Sequence, residues 1–338
     1  MKKLQVLVLV GVLILGLGTA AFAGAAGEDD AASEQVKFAA IFPGSIQDAD
    51  YNTIGYVALQ EAGQANGATT AYSEKVAVPD AERVLTEYCV AGFDIIWVHG
   101  SQFNGAAANV GPEYPDVTFI LEVDSEPADK VPNYWYMDRN FYTGFYVLGA
   151  LGALTTESGQ IGYIGGLELP FTRGEINAIR QSIRDVGSDA ELSYLYVGDF
   201  NDPVKTRQAA EGLISNGVDV IISSVNLGNY GLYNAVKEAN TQVYITTKYT
   251  DKTDLAPDNV LTSDLFDFRV PLTEIVGRFI AGEKGGFLYL DYGEGLARAT
   301  QFPIRNVSDA VNARVREISA AVAAGEVDIV LNQAEILD

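Results

Sequence analysis

The chain has 338 residues, with 22 Lys and Arg against 45 Asp and Glu, so its formal net charge is −23. This acidic balance argues against nucleic acid and anionic membrane as partners, because both carry negative charge themselves. The length exceeds that of one typical hydrophobic core and predicts two domains.

The chain begins with the pattern of an export signal. Residues 1–23 hold two lysines, an apolar run and a small-residue "AFA" site, which predicts a secretory signal peptide. A retained membrane anchor is the alternative, since the run approaches spanning length. No cysteine ends the run, so we expect an exported protein, periplasmic or at the cell surface, without a lipid-attachment site. Residues 24–35 are small and acidic and predict a flexible tether.

Short runs rich in β-branched and aromatic residues alternate with helical patterns along the rest of the chain. The predicted strands are 36–42, 69–76, 93–100, 117–123, 159–166, 191–200, 218–225, 242–249 and 259–265. A long apolar helix is predicted within 140–156. Apolar strands that alternate with helices predict an α/β fold, with parallel sheets covered on both faces.

The strand pattern runs twice. Residues 91–102 and 216–227 share a Gly, an Asp and an apolar run, and each follows a predicted helix that Asp opens. We therefore expect two similar open α/β lobes. Ligands of such sheets bind beyond the carboxyl ends of the strands, so the residues after each strand are the candidates for a binding cleft.

A polar cluster, "DADYN" (48–52), follows the first predicted strand. Its spacing matches the start of an EF-hand calcium loop, but Thr53 and Leu59 stand where that loop needs Gly and Glu, so we expect no metal. Helix capping by these residues is the alternative to a ligand-binding role. Capping does not account for the aromatic residue within the cluster.

The sequence contains no recognisable catalytic set. His99 is the only histidine, and the motifs of a nucleophile elbow, a phosphate-binding P-loop and a dinucleotide-binding turn are absent. His99 is expected to be a structural hydrogen-bonding residue or a ligand contact, and Cys89 a core residue rather than a reactive thiol. An exported two-lobed α/β protein of this kind is predicted to bind a solute, with no cofactor and no metal, and not to be an enzyme.

Several stretches carry a resemblance to a known family. They are "DADYN" (48–52), "YPDVTFILEVDS" (114–125), "NFYTGFYVLGALGALTTESGQIGYIGG" (140–166), "YVGDFNDPVKTRQAAEGLISNGVDVII" (196–222) and "LAPDNVLTSDLFDF" (255–268). In these the chain resembles the basic membrane protein (BMP) family, the substrate-binding components of ABC transporters. The resemblance implies a type I periplasmic-binding-protein fold, with two lobes, a ligand cleft between them and an ABC permease as partner.

The two lobes are expected to exchange the chain three times. The crossings are predicted within 138–158, near 262–268 and near 290–303. The N-terminal lobe would then comprise 36–145 and about 266–292, and the C-terminal lobe 146–265 and about 293–338.

The resemblance also implies a purine nucleoside or nucleobase as ligand. It gives Tyr51 the role of stacking on the purine, with Asp50 and Asn52 beside it. Asp124 matches the carboxylate that accepts both ribose hydroxyls, and Phe171 or Phe200 would form a second aromatic wall. The full predicted set is Asp50, Tyr51, Asn52, Ser101, Gln102, Asp124, Phe171, Phe200, Asn226 and Lys248.

The chain departs from the family pattern where the ligand is held. The stretches "VNLGNYG" (225–231), "TTKYTDK" (246–252) and "DLFD" (264–267) replace a glycine-rich turn, the usual aspartates and a lysine. A different polar heterocycle or a sugar therefore remains an alternative ligand. A sensory protein that serves a membrane receptor and a nucleoside hydrolase-like enzyme remain alternative functions.

Overall fold

The computed structural model describes residues 35–337, and the predicted signal peptide and nearly all of the tether lie outside the described residues. The strands are β1 Lys37–Ile41, β2 Thr69–Ser73, β3 Ile95–Val98, β4 Thr118–Val123, β5 Tyr134–Asp138, β6 Gln160–Gly165, β7 Glu191–Tyr196, β8 Val220–Ser224, β9 Tyr244–Tyr249, β10 Val260–Phe266, β11 Gly286–Tyr289 and β12 Arg298–Thr300. The helices are α1 Tyr51–Ala65, α2 Ala81–Val90, α3 Asn104–Val110, α4 Phe141–Thr155, α5 Pro170–Asp185, α6 Pro203–Ser215, α7 Asn229–Glu238, α8 Arg269–Ile280 and α9 Asp309–Ala323. Within the described part of the chain, no helix is long and apolar enough to cross a membrane.

The strands form two six-stranded sheets. The first has the order β11-β5-β4-β3-β1-β2, and the second β12-β10-β9-β8-β6-β7. Every pairing between these strands is parallel except that of β10 with β12. We call the first sheet with α1–α3 and α8 the first lobe, and the second sheet with α4–α7 and α9 the second lobe. The predicted α/β fold with two parallel-sheet lobes is confirmed.

Each of the nine predicted strands overlaps an observed one, and the predicted helix within 140–156 is α4. The sequence analysis missed β5, β11 and β12. β11 and β12 have four and three residues and lie at sheet edges, so they show no buried run. β5 is fully buried, but its run "YWYMD" leads almost directly into the aromatic start of α4, and the sequence analysis assigned it to no element.

The chain passes between the lobes three times. It leaves the first lobe between β5 and α4, returns between β10 and α8, and leaves again between β11 and β12. The three predicted crossovers are therefore present. Each lobe is therefore completed by a segment from the other half of the chain, and we call the three crossings together the hinge.

One buried cation joins the three crossings. Arg298, at the start of β12, donates from Nη1 to the carbonyl oxygens of Arg139 (2.9 Å) and Asn140, which lie in the first crossing. Its Nη2 pairs with the carboxylate of Asp264 in β10, and its guanidinium lies 4.3 Å from the ring of Phe266. Both side chains of the ion pair are fully buried, so the pair is shielded from solvent and holds the hinge together.

We predict that Gly144→Ala destabilises the protein, because a Cβ there would lie 2.4 Å from both Arg298 Nη2 and Asp264 Oδ2. Overpacking of this kind costs about 1–3 kcal/mol in the free energy of unfolding, measured by urea denaturation. The control is Gly105→Ala in α3, where no heavy atom lies within 4 Å of the added Cβ. Equal midpoints for the two variants would contradict a tightly packed hinge.

Candidate functional site

A narrow cavity lies between the lobes at the carboxyl ends of the strands. Its volume is about 40 Å³. The residues that line it are Pro43, Tyr51, Gln102, Arg139, Phe171, Phe200, Asn201, Asn226 and Tyr249. The first three belong to the first lobe, Arg139 to the first crossing, and the others to the second lobe, so both lobes build the cavity.

Aromatic rings form most of this cavity's wall. Tyr51 is the first residue of α1, and its ring stacks on His99 with 3.8 Å between centroids and lies 5.0 Å from the ring of Tyr249. Phe171 and Phe200 face each other nearly parallel, with centroids 6.1 Å apart and planes 17° apart. A flat ring sandwiched between two others needs about 7 Å between them, because each contact takes 3.5–4.0 Å. A small increase in the distance between the Phe171 and Phe200 rings would therefore make room for a flat ligand between them.

Behind Tyr51 lies a buried hydrogen-bond network centred on Glu122. The Tyr51 hydroxyl donates to Glu122 Oε2 (2.5 Å), and His99 Nδ1 lies 2.5 Å from Glu122 Oε1. His99 Nε2 lies 3.1 Å from the carbonyl oxygen of Tyr51, so both ring nitrogens are engaged. Burial raises the pKa of Glu122, but the opposite effect of His99, Arg139 and the Tyr51 hydroxyl is larger. The pKa of Glu122 is therefore below its usual range. The network holds the Tyr51 ring in place and keeps the carboxylate ionised.

Arg139 connects this network to Asp124. Its Nη2 donates to both oxygens of Asp124 (2.6 and 2.7 Å) and to the Ser101 hydroxyl (3.0 Å), and its Nη1 lies 3.4 Å from Glu122. The guanidinium also lies 4.9 Å from the ring of Phe171. Asp124 and Ser101, predicted as ligand contacts, do not line the cavity and serve as partners of Arg139.

Lys248 lies behind the aromatic wall and is fully buried. Its Nζ donates to Ser224 Oγ (2.7 Å), lies 3.4 Å from Glu175 Oε1, and is within 4.5–5.6 Å of four aromatic ring centroids, among them Phe171 and Tyr249. Burial lowers the pKa of Lys248, and Glu175 opposes this shift. The predicted ligand contact Lys248 thus supports the aromatic wall and does not line the cavity.

The loop "DADYN" is organised by Asp48. Asp48 accepts hydrogen bonds from the backbone N–H groups of Asn52 and Thr53, so it provides the helix cap that the sequence left as an alternative. The Asn52 amide donates to Asp48 (2.6 Å) and accepts from Gly44 N–H (3.1 Å). The Asn52 side chain, predicted as a ligand contact, therefore points toward the loop itself. Among the described residues no group of acidic, histidine or cysteine side chains could hold a metal ion.

Asp50 points across the cleft instead. Its Oδ1 accepts a hydrogen bond from Lys252 Nζ (2.7 Å). The pair borders a second, wider chamber of about 440 Å³ at the mouth of the cleft. The side chains that line this outer chamber are Asp48, Ala49, Asp50, Asn226, Asn229, Tyr230, Tyr233, Thr250, Asp251, Lys252, Asp254 and Leu255. Asn226 belongs to both spaces and marks where the narrow cavity meets the outer chamber.

Three buried polar atoms at these two spaces have no hydrogen-bond partner among the described residues. They are the side-chain oxygens of Asn201 and Asn226 and the hydroxyl of Tyr233. A buried polar group without a partner costs about 1–3 kcal/mol, so such groups identify positions where a ligand or water completes the structure.

A family model described as an ABC transporter substrate-binding protein, PnrA-like, matches residues 35–323. The chain belongs to this family. The match confirms the resemblance to the BMP family, whose members bind a small molecule and deliver it to a membrane permease. The family is one of binding proteins rather than enzymes.

Proteins similar to this chain are named after different ligands. The purine-binding protein of Brucella abortus is 26% identical over 88% of this chain and 83% of its own length. A putative ABC transporter glucose-binding protein of Haloferax volcanii is 31% identical, but over only 45% of this chain and 38% of its own. A solute-binding protein of an ABC transporter system from Aeropyrum pernix has the same fold, with a TM-score of 0.74 over 88% of this chain and 94% of its own, at 19% identity.

The structure brings half of the predicted site residues to the narrow cavity. Tyr51, Gln102, Phe171, Phe200 and Asn226 line it. Four lining residues are absent from the predicted set: Pro43, Arg139, Asn201 and Tyr249. Pro43 follows β1. Arg139 follows β5, so recognising β5 as a strand would have added Arg139 to the candidates. Asn201 follows Phe200 and Tyr249 ends β9, and both lie within segments already identified as strand ends.

We predict that Glu122→Gln lowers the free energy of unfolding by about 3–5 kcal/mol, because it leaves the buried Arg139 without part of its compensation. Urea denaturation measures this, with the exposed Glu113→Gln as control. The lowered pKa of Glu122 stabilises the fold above the ordinary value of 4.5, and this contribution is lost as the pH falls through the lower folded value. The variant should therefore lose less stability than the wild type on acidification, and an unchanged acid limb would contradict this role.

Proposed function

We propose that this protein is an exported solute-binding protein that captures a purine nucleoside or nucleobase in the cleft and delivers it unchanged to an ABC permease. The observation that carries the proposal is the narrow cavity with aromatic walls from both lobes and two amide oxygens, buried and without a hydrogen-bond partner in residues 35–337. Export would use the predicted signal peptide of residues 1–23.

The aromatic walls favour a flat heterocycle. Stacking of a base on an aromatic side chain contributes about 1–3 kcal/mol. The free oxygens of Asn201 and Asn226 are acceptors, and the N–H groups of a purine are donors that would satisfy them. Tyr51 would stack on the ligand from the first lobe, and Phe171 and Phe200 would enclose it from the second.

The charges around the cleft favour a neutral ligand. Arg139 is paired with Asp124, Lys248 with Glu175, and Lys252 with Asp50. A ligand with a net charge would have to break one of these buried pairs or remain uncompensated, and both are costly. Nucleosides and nucleobases are neutral, whereas nucleotides are not.

Ligand entry requires the lobes to separate. A cavity of about 40 Å³ is far smaller than the 300–1,000 Å³ of typical ligand sites. We propose that the ligand enters an open form and that the lobes then close around it by rotation at the three crossings. The closed complex is the form that the permease would recognise.

A sugar is the second candidate ligand. The outer chamber is ligand-sized and presents the Tyr233 hydroxyl and the Asn226 oxygen, which could bind hydroxyl groups. The name of the Haloferax volcanii relative points the same way.

We predict that adenosine, guanosine or a free purine raises the melting temperature of residues 24–338, whereas ribose and glucose do not. A ligand at a hundred times its dissociation constant adds about 2.7 kcal/mol of stability. Thermal unfolding against this panel, with product analysis for released hypoxanthine after incubation with inosine, tests binding and catalysis together. A shift with glucose alone would support the sugar candidate and overturn the purine proposal.

We predict that Phe200→Ala weakens binding of the active purine at least tenfold, because one stacking surface is lost. Isothermal titration calorimetry measures the affinity. Phe93→Ala is the matched control, since Phe93 is a partly buried ring just before the amino end of β3, whereas the cavity lies at the carboxyl ends of the strands. Equal affinities for the two variants would show that Phe200 does not contact the ligand.

A further inference from the structure

One buried ion pair spans the cleft. Asp50 lies immediately before α1 in the first lobe, and Lys252 lies in the loop after β9 in the second. Lys252 Nζ and Asp50 Oδ1 are 2.7 Å apart, and both side chains are more than nine-tenths buried. The pair borders the ligand cleft, but neither residue lines the aromatic cavity.

A hydrogen bond within the second lobe positions the Lys252 side chain for this contact. Lys252 Nζ also donates to the carbonyl oxygen of Lys248 (2.6 Å), which belongs to the same lobe. Beside the pair, the Thr250 hydroxyl donates to the carbonyl oxygen of Ala49 (3.2 Å), a second hydrogen bond between the lobes. Residues 49–50 and 250–252 thus meet along a short strip that exists only when the lobes are together.

We propose that Asp50 and Lys252 form a latch that closes when the lobes meet and that stabilises the closed form without any contribution from the ligand. In an open form both groups would be hydrated. In the closed form each is buried and depends on the other for compensation, so closure requires both. This proposal concerns the lobe equilibrium itself and does not depend on which ligand binds.

The latch predicts different effects for the single variants and the double variant. Lys252→Met leaves a carboxylate that closure would bury alone, so the protein should open instead. Asp50→Asn leaves a buried ammonium and should open it as well. The double variant Asp50→Asn/Lys252→Met removes both charges, so it should recover much of the closed population.

The test is single-molecule FRET without ligand, on the protein labelled at Glu113→Cys and Lys237→Cys in a Cys89→Ala background. The two labels lie on exposed positions of different lobes. We expect Lys252→Met and Asp50→Asn each to lower the closed-to-open ratio at least tenfold at pH 7.5. The double variant should recover most of that loss, and Lys205→Met, an exposed lysine of the second lobe, should leave the ratio unchanged.

Two outcomes would overturn the latch. One is a double-mutant cycle in which the effects of Asp50→Asn and Lys252→Met simply add. The other is a closed-to-open ratio in Lys252→Met equal to that in Lys205→Met. Near-ultraviolet circular dichroism of each variant verifies that both lobes remain folded, and because no ligand is present, failure of the purine proposal would leave this result unaffected.

Discussion

The structure depends on compensating charges that are buried where the two lobes meet. Arg298 holds the backbone of Arg139 at the hinge, and the side chain of Arg139 reaches Asp124 and Glu122 beneath the ligand cavity. A buried cation without its carboxylate would be strongly destabilising, so these partners constrain one another. The hinge and the floor of the cavity are therefore parts of one connected network.

This network explains the form of the aromatic cavity. Tyr51 is oriented by its hydrogen bond to Glu122, and the second-lobe rings lie against the buried cations of Arg139 and Lys248. Apart from Arg139, which lines the cavity but is paired with Asp124, the charged groups thus lie behind the rings. The rest of the cavity surface is aromatic rings and neutral amide groups, which is the chemistry that the proposed uncharged heterocycle would need.

The lobe interface has a different character at the mouth of the cleft. There the Asp50–Lys252 pair joins the lobes directly. Closure would then draw on the protein's own charges as well as on the ligand. Under these proposals the Asp50–Lys252 pair lies in the outer chamber and the ligand in the aromatic cavity. The pair's contribution to closure would then not depend on which ligand binds.

The sequence by itself determined the architecture. Buried parallel strands require continuous apolar runs, and these runs located nine of the twelve described strands and the strand ends that face the cleft. The resemblance to the BMP family then selected the aromatic residues Tyr51, Phe171 and Phe200 at those strand ends. Only the tertiary structure decided which polar side chains remain free for a ligand. Asp124 directly follows β4, Lys248 lies near the end of β9 and Asn52 lies in the connection after β1 that opens α1, which are the positions expected for ligand contacts. Each is nevertheless satisfied by a partner distant in sequence or by its own loop. Such pairing depends on which chain segments meet at the cleft, and one strand or loop carries no local signal of it.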